Sequence, residues 1–284
     1  MREWFNALFY GALIAITFRS LLLEPFNIPS GSMLPTMHVG DHIFVQKWSY
    51  GYSRYSFPFG SWNMWDGRIW GAQPEVGDVI VFRSPQNPTR DYVKRLVAVG
   101  GDTVQMQGGH LYLNGVRVVR ENPRPFVMAY LRRSLRGAGW HQDNISIRGN
   151  QLFIDNEPAD FNFTIEYRSD RFCNNHPRYC GVFFAVEYTE TLPNGRQHSI
   201  IKKFQDAPFD NTPEVVVPEN HFFFIGDNRD NSGDSRGHVG FVPRDNLIGP
   251  AWFTWYSHNY ITPLIAFWNW HNKMRWSRFG QRVN

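Results

Sequence analysis

The N-terminal run "FNALFYGALIAITFRSLLL" constrains this chain more than any other stretch. From Phe5 to Leu23 it holds 19 residues, mostly apolar. As a helix it spans ~28 Å, close to the ~30 Å hydrocarbon thickness of a bilayer. Arg19 interrupts it near its end, where a long side chain snorkels to the interface. A cleaved signal peptide is the competing reading, but its apolar region is ~7–15 residues long and leads to a small-x-small site. This run is longer and continues into Leu-Leu-Leu-Glu-Pro-Phe, so a retained membrane anchor over residues 1–25 is expected. Arg2 and the amino terminus favour a short end inside and the remaining ~260 residues outside.

Beyond the anchor the chain is not polytopic, because only 42% of its 284 residues are hydrophobic. Short apolar runs alternate with Gly, Pro and Asn/Asp turns, the pattern of a mostly β domain. The clearest are 41–48, 77–84, 91–106, 110–120 and 221–228, and "YLNGVRV" carries the Asn-Gly signal of a tight hairpin. The stretch 108–215 is more polar and holds both cysteines, so the expected plan is a β-rich catalytic core (26–107 and 216–284) with an inserted second lobe, also β-rich, at 108–215. The net charge of +4 is scattered, too diffuse for a nucleic-acid groove and compatible with an anionic lipid surface.

Cys173 and Cys180 bracket the turn-like Asn-Asn-His-Pro. In an exported domain an even pair reads as a disulfide. The alternative is a metal site with His176, but three local candidates at this spacing match no standard zinc pattern. No metal and no cofactor are expected.

Three polar stretches hold the chemistry. "PSGSMLPT" (29–36) is either a connector leaving the membrane or a nucleophile turn. A serine nucleophile needs a base, and none of the ten histidines lies in a recognisable triad context. Lys94 in "DYVKRLVAVGGD" is the other source of a base, with period-2 alternation placing Tyr92, Lys94, Leu96 and Ala98 on one face. An edge-strand surface lysine and a buried amine both fit this pattern. Burial that lowered its pKa from ~10.4 to ~8 would raise the neutral fraction near pH 7.5 to roughly a quarter. "GDNRDNSGDSRGHVGFVP" (226–243) first suggests a calcium loop, but Val239 falls where the bidentate Glu belongs. Its alternating Asp and Arg suggest internal salt bridges that stiffen a loop.

Taken together, "EPFNIPSGSMLPTMHVGDHIFVQKWSYG" (24–51), "GDVIVFRSP" (77–85), "DYVKRLVAVGGD" (91–102) and "GDNRDNSGDSRGHVGFVP" (226–243) resemble the bacterial type I signal peptidases, in family order and after a membrane anchor. The resemblance implies a serine endopeptidase that releases signal peptides from exported preproteins outside the cytoplasmic membrane. It implies Ser32 as nucleophile and Lys94 as general base, with the Ser30 hydroxyl and the Ser32 N–H forming an oxyanion hole. Ser232 would orient the lysine, and Asp234 and Arg236 would brace the loop without reacting. Cleavage after small-x-small sequences implies shallow apolar pockets, and Phe26, Ile28, Met33, Tyr92 and Val93 are candidates by position. The chain departs from the family in three places. Many members have two membrane spans, "AVGGD" lacks the proline often found before Gly-Asp, and 108–215 shares no matched motif. The rivals are a conjugation-type Ser-Lys processing peptidase and a non-catalytic anchored β-domain. The tryptophans 268, 270 and 276 fit either core or membrane interface.

Overall fold

The computed structural model describes residues 2–57, 66–131, 145–148, 151–154, 157–158, 167–168, 180–203, 206–258 and 274–283. Helix α1 runs over Arg2–Leu21 and leaves Trp4, Phe5, Leu8, Phe9 and Ile14 exposed. Only Ser20 on it is buried, its hydroxyl donating to the Ile16 carbonyl at 2.7 Å. By length and composition this helix can cross a membrane. It ends two residues before Leu23, because Leu23 already pairs with Gln46 at the start of the first strand. Glu24 holds the junction, accepting from Arg19 at 2.8 Å and from Lys47 at 2.6 Å.

The rest is mostly β, as expected. The main sheet contains β1 (Leu23–Asn27), β2 (Asp41–Gln46), β3 (Val79–Arg83), β4 (Asp91–Val99), β16 (His221–Ile225), β17 (Val242–Pro243) and β18 (Leu247–Ser257). Its order is β1-β2-β18-β3-β4-β16-β17, antiparallel throughout. A second sheet joins β5 (Thr103–Gln107), β6 (His110–Leu113), β7 (Val116–Arg117) and β15 (Val215–Val216). A third joins β8 (Val119–Leu131), β12 (Tyr167–Arg168), β13 (Cys180–Thr191) and β14 (Gln197–Lys202). The short strands β9 (Ile145–Arg148), β10 (Gln151–Ile154) and β11 (Glu157–Pro158) form a fourth. Residues either side of position 107 therefore share one sheet through the β5–β6 hairpin.

Central strand β3 shows why its first four residues, Val79 to Phe82, are all apolar. Val79 and Val81 face a core with Ile28, Met33, Met37, Ile43, Val45 and Ile248. Ile80 and Phe82 face the opposite core with Leu96, Phe222, Phe224, Val242 and Leu247. A strand covered on both faces needs no polar side. The Asn-Gly turn forms as expected: Asn114 and Gly115 take φ of 52° and 74°, the left-handed pair of a type I′ hairpin.

One expectation changes on β4. Tyr92, Lys94 and Leu96 share a face, but the pairing with β16 shifts between Phe223 and Phe224, so Val97 is an extra residue. That bulge moves Ala98 into the core of the second sheet, with Val104, Met106 and Phe223. Cys173, the Cys180 side chain, Trp268 and Trp270 lie outside the described residues, and Trp276 is exposed.

Candidate active site

The Pro-Ser-Gly-Ser stretch is a turn anchored at both ends. Ile28 N–H donates to Asp41 O at 2.8 Å and Gly40 N–H to Ile28 O at 2.9 Å, closing the loop that leaves β1 and returns as β2. Met33, Leu34 and Met37 are wholly buried, so the residues after Ser32 are nailed into the core. Leu34 packs against Phe126, Ala185 and Ile201 of the third sheet. Asp41 is the rear anchor. Burial pushes its pKa up, but the Arg278 hydrogen bonds and the charges of Arg278 and Arg275 outweigh that and hold it below the usual carboxylate range. Arg278 also donates to Thr36 O at 3.0 Å, so the C-terminal segment braces the turn from behind.

Lys94 Nζ lies 2.8 Å from Ser32 Oγ and 2.8 Å from Val93 O. Ser30 Oγ is 3.4 Å from Ser32 Oγ. Lys94 is buried, which selects the buried amine over the edge-strand lysine. Burial is the largest influence on this amine and disfavours its charged form. Asp234 and Asp227 pull the other way, Arg236 adds to the depression, and the balance lowers its pKa to about 8. Ser32 is itself largely buried, at 9% exposed, and Lys94 behind it, at 3%, is shut off from bulk water.

Loop 226–236 clamps this pair. Asn228 donates through Nδ2 to Gly31 O at 2.9 Å and through its N–H to Ser32 O at 3.1 Å, gripping the Ser30–Ser32 turn by two carbonyls. Gly226 sits where a Cβ would collide with Ser232 Oγ and come within 2.6 Å of Ser32 O, so only glycine fits between them. Ser232 is buried, and its Oγ has no hydrogen-bond partner at normal geometry among the described residues, though it stands close enough to Asp234 to favour that carboxylate's ionised form. Asp234 is held ionised against the penalty of burial, chiefly by Arg236 donating at 2.9 and 2.8 Å and by Gly226 N–H at 3.0 Å.

The expectation of ion pairs internal to the loop holds for Asp234–Arg236 and fails for the other charges. Asp227 takes a two-pronged bond from Arg95 of β4, 2.8 Å for each prong, and the Thr36 hydroxyl at 2.5 Å. Arg229 reaches Glu190 of β13, and Asp230 accepts from Lys202 of β14 at 2.9 Å. The loop also bridges to β14 directly: Ile201 N–H donates to Asp227 O at 2.9 Å, and Arg229 N–H to Ile201 O at 3.0 Å. The third sheet thus supports the site. The sequence held a signal for these partners, because Arg95 and Asp227 each interrupt or end an apolar strand run. Glu190 carried no such mark.

The expected pocket residues divide. Phe26 and Val93 are partly buried against the core of Ile28 and Met33, while Ile28 (3% exposed) and Met33 (0%) lie within it. Tyr92 faces the other way, with its hydroxyl 3.1 Å from His238 Nε2 and its ring 5.5 Å from Lys94 Nζ. A separate polar cavity of about 640 Å³, lined by Tyr50, Asp78, Arg95, Arg196 and His198 among others, includes neither Ser32 nor Lys94.

The comparisons with known proteins agree with one another. A family model described as signal peptidase, peptidase S26, matches residues 1–135 and 136–256. The signal peptidase I of Rickettsia canadensis is 32% identical over 263 residues, covering 90% of this chain and 80% of its own. That of Rickettsia prowazekii is 32% identical over 264 residues, covering 90% and 81%. A crystal structure of a signal peptidase I from Enterococcus faecalis covers 63% of this chain and 97% of its own, at 24% identity and a TM-score of 0.29, an overlap too loose to bear on the fold.

Proposed function

The chain belongs to the signal peptidase family, peptidase S26, the serine peptidases that remove signal peptides from preproteins, and on that premise we propose that Ser32 is its nucleophile and Lys94 its general base. The observation that carries this is the 2.8 Å approach of the buried Lys94 amine to the Ser32 hydroxyl. When Lys94 is neutral, the Ser32 O–H donates to its lone pair. As Oγ attacks the scissile carbonyl carbon, Nζ takes the proton and the carbonyl oxygen takes the negative charge. The Ser32 N–H and the Ser30 hydroxyl are the donors for that oxygen, each worth on the order of 10²–10³ in rate. Collapse breaks the C–N bond, and the Lys94 ammonium gives its proton to the departing amine of the mature protein. The signal peptide is left as an ester on Ser32. Water attacks that ester, Lys94 again takes the proton, and the signal peptide leaves with a free carboxylate as Ser32 regains its hydrogen.

The supporting roles follow from position. Ser232 has a buried hydroxyl to spare beside Gly226, suited to aiming the lysine. Asp234 and Arg236 brace the loop. Phe26, Val93 and Tyr92 edge the pockets for the small residues, with Ile28 and Met33 as backing. Helix α1 anchors the chain in the cytoplasmic membrane with its folded part on the outer face, where the inserted lobe at 108–215 would carry Cys173 and Cys180 as a disulfide. Anchoring raises the effective concentration of enzyme at a substrate held in the same bilayer.

The test is cleavage of a preprotein by the full chain in detergent, with Ser32→Ala and Lys94→Ala compared at matched circular dichroism. Both variants are expected to fold and to cut nothing. Lys94→Ala cutting at the wild-type rate would move the base elsewhere.

A further inference from the structure

On the outer side of the β2–β18 pair, away from the groups assigned to peptide cleavage, two histidines meet. His42 Nε2 and His258 Nε2 are 3.3 Å apart, with ring centroids 5.4 Å apart and the rings inclined at 31°. Both side chains are half-buried, so solvent reaches them. Tyr256 lies beside both, its ring centroid 5.2 Å from that of His42 and 5.3 Å from that of His258. Without a metal between them the two imidazoles share a hydrogen bond.

The same geometry suits another occupant. Metal–nitrogen bonds of about 2.0–2.1 Å at a tetrahedral angle place two ligand nitrogens about 3.3 Å apart. We infer that His42 and His258 form a surface site for one divalent transition-metal ion of the kind that favours imidazole, Zn²⁺ foremost, with water completing its coordination. The donor set selects against Mg²⁺ and Ca²⁺, which prefer oxygen ligands.

The backbone fixes both ligands before any metal arrives. His42 follows Asp41, whose carboxylate is held by Ser257 at 2.6 Å and Arg278 at 2.6 Å. His258 N–H donates to Gly40 O at 3.1 Å, and its residue bridges to Met274. His42 lies within β2 and His258 one residue past β18, and ligands held by paired backbone lose little freedom on binding. Burial, the neighbouring His42 and Arg275 push the His258 pKa down to about 4 against the pull of Asp41, and burial lowers His42 against the same carboxylate. In the metal-bound form the ring that now donates would carry its proton on Nδ1, leaving Nε2 for the metal. The Arg275 guanidinium, which donates to His258 O at 3.1 Å, opposes an added cation, and Asp41 offsets it.

Thermal melting of the chelator-treated full chain in detergent, with ZnCl2 or MgCl2 added, tests this. The wild-type Tm is expected to rise with zinc and not with magnesium. His42→Gln and His258→Gln should each raise the zinc concentration for a half-maximal shift at least tenfold. Zinc leaving the wild-type Tm unchanged, or both variants responding like wild type, overturns the site and leaves a plain histidine hydrogen bond. If a variant does not fold, one equivalent of Cu²⁺ on the wild type decides. Electron paramagnetic resonance should resolve coupling to two imidazole nitrogens, and one or none overturns the assignment.

Discussion

Strand β4 carries two adjacent buried cations, and its two sides treat them in opposite ways. Arg95 is bound to Asp227 through two prongs and to Gly77 O at 2.7 Å, so its charge is answered inside the protein. Lys94 points to the other side and hydrogen-bonds only a hydroxyl and a carbonyl among the described residues. Asp234 and Asp227 act on it at a distance, but each is committed to an arginine. One side spends a carboxylate to keep a charge. The other withholds one so that a charge is easily lost. A buried ion pair holds structure in place, while a buried unpaired amine is unstable as a cation and ready as a base.

Four experiments break or sharpen that contrast. The largest effect is expected from Lys94→Met, which should abolish peptide cleavage, a loss of at least about 10³-fold. It should also raise stability at pH 7 by about 1–3 kcal/mol, because an apolar side chain replaces a buried ammonium. Urea unfolding beside the cleavage assay reads both. A fall in stability would mean that Lys94 is satisfied as a cation. On the other side, Arg95→Met should destabilise the fold by about 3–5 kcal/mol by stranding Asp227, and adding Asp227→Leu should recover much of that. If the double variant is no more stable than the single, the cost does not lie in the orphaned charge.

Gly226→Ala comes next. Its methyl group would push Ser232 and the Ser32 carbonyl apart, and a displacement near 1 Å costs about 10²-fold in rate. Single-turnover cleavage is the readout, with the melting temperature showing whether the fold survives. The smallest effect is graded. Below pH 8 the cleavage rate should rise tenfold per pH unit and then level, as Lys94 loses its proton at about 8. The stability sign follows from the same shift. Between about 8 and the unfolded value of 10.5, the unfolded chain holds a proton that the folded chain has released, so Lys94 makes stability rise with pH there. A flat pH profile with chemistry limiting would rule out a lysine base.

Much of this was legible in one dimension. The α1 run, the Asn-Gly hairpin and the doubly apolar β3 declare themselves through length, turn chemistry and the absence of a polar face. The candidates Ser30, Ser32, Lys94 and Ser232 stand in short local patterns, which the resemblance to a known family could order. The Ala98 expectation failed because a bulge is a property of two paired strands, and Val97 alone carries no sign of it. The ion pairs of Arg229 and Asp230 were misassigned within their loop because their partners, Glu190 and Lys202, arrive from the third sheet.

By itself the sequence determined the membrane-length helix and the β character, since these depend on composition over a few neighbouring residues, while the proposed reactive groups were assigned through the resemblance to a known family. Only the tertiary structure decided that Lys94 is buried rather than an edge-strand surface lysine. Only it decided which carboxylates Arg95 and Arg229 claim, that Asn228 grips the turn holding Ser32, and that two histidines 216 residues apart face each other. A pKa near 8 is a sum over desolvation and distant charges, and that sum does not exist until the chain has folded.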